Sequence, residues 1–119
     1  MGSTLMFAYG IWPESLSLLL VAMGVDYLTG VTAALMEKKG LSSLVGSWGL
    51  ARKGIMLLVI LLAHRIDILL ELDNIAMGGA IYFYLANELI SITENLGRIG
   101  VPMPERLRDL IQVLKNKKD

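Results

Sequence analysis

The chain has 119 residues, of which 55% are hydrophobic and only 18% are charged, and its mean hydropathy is +0.60. A soluble domain carries about 25% charged residues, so the composition favours lipid rather than water around much of the surface. The absence of cysteine excludes disulfide scaffolds, Fe–S clusters and thiol nucleophiles, and a single histidine excludes a multi-histidine metal site within one chain. Eleven basic residues balance eleven acidic ones, so no overall basic charge points to a nucleic acid partner.

The first apolar segment is long enough to cross a membrane. A bilayer core about 30 Å thick needs about 20 mostly apolar helical residues, and residues 15–36 provide them with one acid, Asp26, near the middle. Pro13 precedes the segment and suits the first turn of a helix. We therefore predict a membrane span over about 15–36.

Two further apolar segments follow. The second, about 50–72, has a clean apolar centre over 54–63 and then His64, Arg65 and Asp67, which must face protein or water because a charge in lipid costs at least a few kcal/mol. The third, about 75–93, carries Glu88 near its inner end, and Gly97 is a reasonable residue to end its helix.

The basic residues predict the orientation. Lys38, Lys39, Arg52 and Lys53 flank the first loop, and six further basic residues follow the third span. The positive-inside rule assigns both segments to the cytoplasm. The sequence thus predicts an all-α integral membrane protein with three transmembrane helices in residues 1–96, the N-terminus outside, and a cytoplasmic basic amphipathic tail over 97–119.

Asp26 is the most informative single residue, because an unpaired carboxylate inside a membrane is costly. It either packs against a neighbouring helix through hydrogen bonds or lines an oligomeric pore. Gly30 and Ala34, four residues apart on the same helix, are small enough for two backbones to approach closely, within one subunit or between subunits.

Three polar residues recur at helical spacing on the second span. His64, Asp67 and Glu71 share one face, which is either water-facing in an assembly or the end of the helix emerging into the outer interface. Glu88 on the third span is a further candidate for pore formation or assembly. Its pairing with Lys53 or Arg52 is geometrically allowed.

The tail and the first loop are candidates for the membrane surface. Leu107, Leu110, Ile111 and Leu114 have the spacing of an amphipathic helix surrounded by basic residues, which suits either anionic lipid or a second copy of the chain. Trp48 lies among the basic residues of the first loop. We take it as a candidate surface and topology residue together with Lys38, Lys39, Arg52 and Lys53.

No pattern in the chain indicates catalysis. It contains no nucleophile elbow, phosphate-binding loop or paired-carboxylate site. We expect no enzymatic activity, no cofactor, no metal and no nucleic acid partner.

Several motifs in order resemble the toxin secretion/phage lysis holin family. The resemblance spans about residues 21–114, and it rests on the order and spacing of the motifs together. They are DYLTG at 26–30, EKKGLSS at 37–43, GSWGLARK at 46–53, AHRID at 63–67, SITEN at 91–95 and GVPMP at 100–104.

The resemblance implies a small multi-pass protein of the bacterial (host) inner membrane. Such proteins form homo-oligomeric lesions that release a phage endolysin, causing host cell lysis, or let a toxin leave the cell. They can also interact with an antiholin, while the cargo passes without stable binding. Two other readings stay open, namely a non-permeabilising adaptor or antiholin-like regulator, and a small channel or transporter subunit.

Overall fold

The computed structural model describes residues 9–10, 13–37 and 43–118, and this part of the chain contains helices and no strand. Three long helices are followed by one shorter helix. They are α1 (Glu14–Met36), α2 (Ser43–Leu70), α3 (Ile75–Ile99) and α4 (Glu105–Lys118).

The three long helices form a bundle in which α3 contacts each of the other three helices. Residues near the start of α1 pack with residues near the start of α3, and Glu37 after α1 pairs with Arg98 near the end of α3, so these two helices run parallel. Helix α2 runs antiparallel between the same two ends. We call the end where α2 turns into α3 the turn end, and the end where α3 passes into α4 the tail end.

The apolar core lies toward the turn end. Buried side chains from all three long helices meet there, and the largest are Leu16, Leu19, Ile60 and Ile81. Leu16 and Leu19 lie three residues apart, one turn along the same face of α1. In a lipid environment, which is as apolar as these side chains, a core of this kind is held together by close packing rather than by exclusion of water.

The α2–α3 connection is a tight turn. Glu71, Asp73 and Asn74 adopt left-handed backbone conformations with φ of 54°, 56° and 66°. Asn and Asp tolerate this region better than most residues because their short polar side chains can form local hydrogen bonds. With three spans and the N-terminus outside, as the sequence predicts, this turn would lie outside the cell.

Helix α2 extends beyond the predicted membrane span, and the predicted end of helix α3 at Gly97 was wrong. Helix α2 begins at Ser43 rather than near residue 50, because Gly46 and Gly49 lower its helix propensity by only about 1 kcal/mol each and do not stop it. Helix α3 continues through Gly97 to Ile99 and ends at Gly100, which has φ 91° and donates its backbone N–H to the Leu96 carbonyl at 2.9 Å. Trp48, Arg52 and Lys53 are therefore helical, and none of them lies in a loop.

The outer surface of the bundle is apolar. By length and hydropathy, α1 and α3 are each able to cross a membrane. Large apolar side chains point outward on all three long helices, including Leu28, Leu62 and Tyr82. The crossing by α2 and the orientation of the bundle stay predictions.

Candidate functional site

Lys53 joins the three long helices through its ammonium group. Its Nζ lies 2.9 Å from Asp26 Oδ2 on α1 and 3.0 and 2.9 Å from the two carboxylate oxygens of Glu88 on α3. One cation on α2 therefore bridges two carboxyl groups on the two neighbouring helices. The sequence allowed Glu88 to pair with either Lys53 or Arg52, and in the structure it pairs with Lys53.

Asn95 completes the group from α3. Its side-chain nitrogen donates to Asp26 Oδ1 at 3.0 Å, to the Asp26 backbone carbonyl at 3.1 Å and to Thr29 Oγ1 at 3.0 Å. Thr29 donates its own hydroxyl proton to the Val25 carbonyl at 2.7 Å, which leaves its oxygen free to accept. We call Asp26, Lys53, Glu88 and Asn95 the charge cluster.

The charge cluster is largely shielded from its surroundings. The side chains of Glu88, Asp26 and Lys53 are 3%, 13% and 16% exposed. Removing one partner of a buried ion pair leaves an uncompensated charge, which costs far more than the loss of an exposed pair. The cluster therefore links α1, α2 and α3 through charges that the loss of any one partner would leave uncompensated.

A cavity of about 380 Å³ lies beside the charge cluster, between the three long helices. It reaches the first turns of α2 and the last turns of α3, so it extends toward the tail end. Besides the cluster, its lining includes Gly30, Ala34, Arg52, Asn87, Ser91 and Arg98. Apolar side chains, Val31 and Met56 among them, complete the lining, so the cavity is of mixed character and water can bind at its polar groups. Among the described residues, no group of three or more His, Asp or Glu side chains could hold a metal ion.

The small residues of α1 face this cavity within one protomer. Gly30 lies beside Asn95, and a side-chain carbon added at Gly30 would come within 3.5 Å of the Asn95 amide nitrogen. Ala34 lines the same cavity one turn later. Contacts of these residues between subunits stay a prediction.

Asp67 has a different environment at the turn end. It is 2% exposed, and its two carboxylate oxygens accept hydrogen bonds from the backbone N–H groups of Ala76 and Met77, both at 2.8 Å. These donors belong to the first turn of α3, whose amides have no partner within their own helix. Asp67 therefore caps α3 from α2, and the favourable end of the helix dipole adds to the effect.

His64 and Glu71 do not share that environment. His64 is buried, and its Nδ1 has no hydrogen-bond partner among the described residues. Gly10 lies against the imidazole ring so closely that a side-chain carbon there would be 2.7 Å from His64 Cε1. Glu71 is exposed in the turn. The predicted polar stripe thus consists of two buried residues and one exposed one in the protomer.

The residues proposed for the membrane surface also differ in exposure. Trp48 and Arg52 are exposed on α2, whereas Lys53 is directed into the charge cluster. Lys38 and Lys39 lie outside the described residues. Arg98 and Glu37 form an ion pair at the tail end, with nitrogen–oxygen distances of 2.6 and 3.2 Å.

Sequence reasoning missed the pairing of Asp26 with Lys53, the role of Asn95 and the Glu37–Arg98 pair. A signal for them exists in the spacing. Glu88, Ser91, Asn95 and Arg98 follow one another at intervals of three and four residues, which places them on one face of α3. Asp26 and Gly30 on α1, continued by Glu37 directly after it, form a matching stripe, and two such stripes on parallel helices would be expected to meet.

Comparison with known proteins gives the family of this chain. Residues 3–116 match the bacteriophage holin family. A probable holin of Bacillus phage phi105 is 38% identical over 104 residues, covering 87% of this chain and 76% of that protein. An uncharacterized protein of Clostridium perfringens is 40% identical over 119 residues, covering 99% of this chain and 89% of its own length.

An uncharacterized protein of Halalkalibacterium halodurans is also 40% identical, over 114 residues that cover 92% of this chain and 84% of that protein. No solved structure matches the chain significantly. The family match extends over nearly the whole length and covers α1, α2, α3 and all but the last two residues of α4. The chain therefore belongs to the bacteriophage holin family, as its motifs predict, and is a non-enzymatic membrane protein.

Proposed function

We propose that this protein is a holin that assembles with copies of itself in the bacterial inner membrane and permeabilises it. In this proposal α1, α2 and α3 all cross the membrane, with the N-terminus outside and α4 in the cytoplasm. The lesions release an endolysin or a protein toxin. Family membership and the basic residues at the tail end support the proposal.

The charge cluster is the observation that carries the proposal. Three helices are too few to enclose a conduit, and in this bundle Lys53 and its two carboxyl partners lie between them, beside a cavity of only about 380 Å³. A water-filled lesion therefore requires several copies. The charge cluster and its cavity provide each copy with polar groups that can line such a lesion once the helices separate.

The same cluster also supports a second candidate function. A bundle whose charges are paired inside one protomer can stay closed, as expected of an antiholin-like regulator or adaptor that binds a partner without permeabilising the membrane. A channel or transporter subunit would instead conduct selectively through a small assembly. The three candidate functions differ in which molecules cross the membrane and in how substitutions in the charge cluster change the time of lysis.

Controlled expression in bacteria with a co-expressed endolysin tests the proposal. We expect collapse of the membrane potential, release of markers over a wide size range, and lysis. Asp26→Asn should delay lysis, because it leaves the Lys53 ammonium with one carboxyl partner, and such a neutral pair favours the closed bundle. Asp73→Asn is the matched control, because Asp73 is exposed in the turn and asparagine tolerates its left-handed backbone.

Membrane insertion is measured in every strain by resistance to alkaline extraction. Continued growth with the wild-type protein fully inserted would reject permeabilisation and favour the regulator. Saturable, selective flux of small solutes without marker release would favour the channel subunit. Equal lysis times for Asp26→Asn and Asp73→Asn would remove the charge cluster from the mechanism.

A further inference from the structure

Helix α4 carries an apolar stripe that the rest of the bundle leaves uncovered. Leu110 and Leu107 are 63% and 43% exposed, and Val113 extends the stripe along one edge. The helix contacts α3, and Ile111 is buried. The contact with α3 thus uses one edge of the apolar face and leaves the remainder open.

Charged residues are arranged around this stripe in a regular way. Successive positions of an α-helix advance by about 100°, so Arg106 and Arg108 lie on the two flanks of Leu107. Glu105, Asp109 and Gln112 lie together on the opposite side. A helix with an apolar face, basic flanks and acids on its far side has the pattern of a helix lying in the surface of a membrane.

The position and charge of the segment identify its partner. Helix α4 follows α3 after only the short 100–104 connection, so it begins beside the tail end of a helix able to cross a membrane. Six basic and three acidic residues lie from position 98 to position 119. Association of two copies through this face would bring like charges together, whereas anionic lipid headgroups complement them.

We propose that α4 lies on the membrane surface at the tail end, with Leu107 and Leu110 inserted among the lipids and Arg106 and Arg108 contacting anionic headgroups. The inference deepens the proposed function, because it rests on the bundle being inserted with its tail end at the cytoplasmic leaflet. It adds a second attachment to the bilayer besides the long helices.

Single-cysteine labelling tests the inference, because the chain has no cysteine of its own. Leu110→Cys and Gln112→Cys place an environment-sensitive fluorophore on the two opposite sides of α4. The full-length variants are reconstituted into vesicles of phosphatidylcholine, with and without phosphatidylglycerol, and quenched either by brominated lipids or by iodide. Dye release from the same vesicles is recorded separately.

In vesicles containing phosphatidylglycerol, we expect brominated lipid to quench the label at position 110 and iodide to quench the label at position 112. Arg106→Gln/Arg108→Gln in the Leu110→Cys background should weaken the lipid quenching, as should high salt or omission of the anionic lipid. Equal iodide access at positions 110 and 112 would overturn the inference. Protection of position 110 that does not depend on anionic lipid would also overturn it, if two copies of the unlabelled Leu110→Cys variant form a disulfide crosslink. That result would assign the apolar face of α4 to a second copy of the chain.

These outcomes separate the inference from the proposed function. Dye release with α4 in water would reject the surface helix and leave permeabilisation intact. A lipid-inserted α4 without dye release would support the surface helix and reject permeabilisation.

Discussion

The two ends of the bundle bury their carboxylates in different ways. At the turn end, Asp67 accepts hydrogen bonds from two backbone amides of α3 and lies next to the closely packed apolar core. Toward the tail end, Asp26 and Glu88 depend on the ammonium group of one lysine and lie beside a cavity. Backbone amides at a helix terminus are fixed in place, whereas a lysine side chain is flexible and can change partners.

The difference separates a permanent contact from an exchangeable one. Asp67 can lose its partners only if the first turn of α3 unwinds or α2 moves away. Lys53 can exchange one carboxyl group for another, or for water, by rotating its own side chain. In the proposed assembly of several copies, rearrangement of the bundle is therefore expected to begin at the charge cluster while the turn end keeps α2 and α3 together.

Removing the cation should have the largest effect on the stability of the bundle. Lys53→Met leaves Asp26 and Glu88 buried without a counter-charge, and we expect it to lower the free energy of unfolding by about 3 kcal/mol. The measurement is a denaturant titration of the protein in detergent micelles, followed by helical circular dichroism. Arg52→Met is the matched control, because the neighbouring Arg52 is exposed, and it should change the value by less than about 0.5 kcal/mol.

A charge-free version of the cluster sharpens this test. Lys53→Met combined with Asp26→Asn and Glu88→Gln has no buried charge left to compensate, so it should recover most of the stability that Lys53→Met alone loses. Equal stability of Lys53→Met and Arg52→Met would show that the cluster does not hold the tail end together.

The next largest effect is expected at the turn end. Asp67→Ala removes both acceptors from the amides of Ala76 and Met77, which costs about 1–3 kcal/mol because those donors stay buried without partners. The same titration measures the loss, and hydrogen exchange should become faster at these two amides. Glu94→Ala on the exposed face of α3 is the control. Unchanged exchange in Asp67→Ala would mean that water replaces the cap.

Much of this fold could be predicted from the sequence, because hydrophobic segments of membrane length are recognised by composition and length alone. Helix α1, Glu14–Met36, coincides with the segment that the sequence predicts as the first span, and whether that segment crosses the membrane stays a prediction. Helix α2 begins before the second predicted span, at Ser43, because Gly46 and Gly49 do not stop it and contacts with α1 cover them. Tyr27 of α1, for example, packs against Gly49 and donates a 3.5 Å hydrogen bond to the Gly46 carbonyl.

The candidate site could be predicted only in its parts. Asp26 and Glu88 stand out as acids within apolar segments, but their meeting depends on how three helices rotate about their axes. The spacing of polar residues along one helix predicts which face of that helix is polar, but it does not predict which helix packs against that face. Asp67 is a clearer example, because its spacing from His64 and Glu71 suggests one shared surface. Its actual partners are backbone amides, which no side-chain pattern reveals.

The smallest effect is expected for the ion pair between Glu37 and Arg98, although its shortest nitrogen–oxygen distance, 2.6 Å, is below any in the charge cluster. Both side chains are about one-third exposed or more, so water and salt can replace either partner. A double-mutant cycle with Glu37→Gln and Arg98→Gln, measured at low and high salt, should show no coupling within error. Coupling as strong as that of Lys53 with Glu88 would mean that burial does not distinguish the two pairs. The stability of the tail end would then depend on its outermost ion pair as much as on the charge cluster.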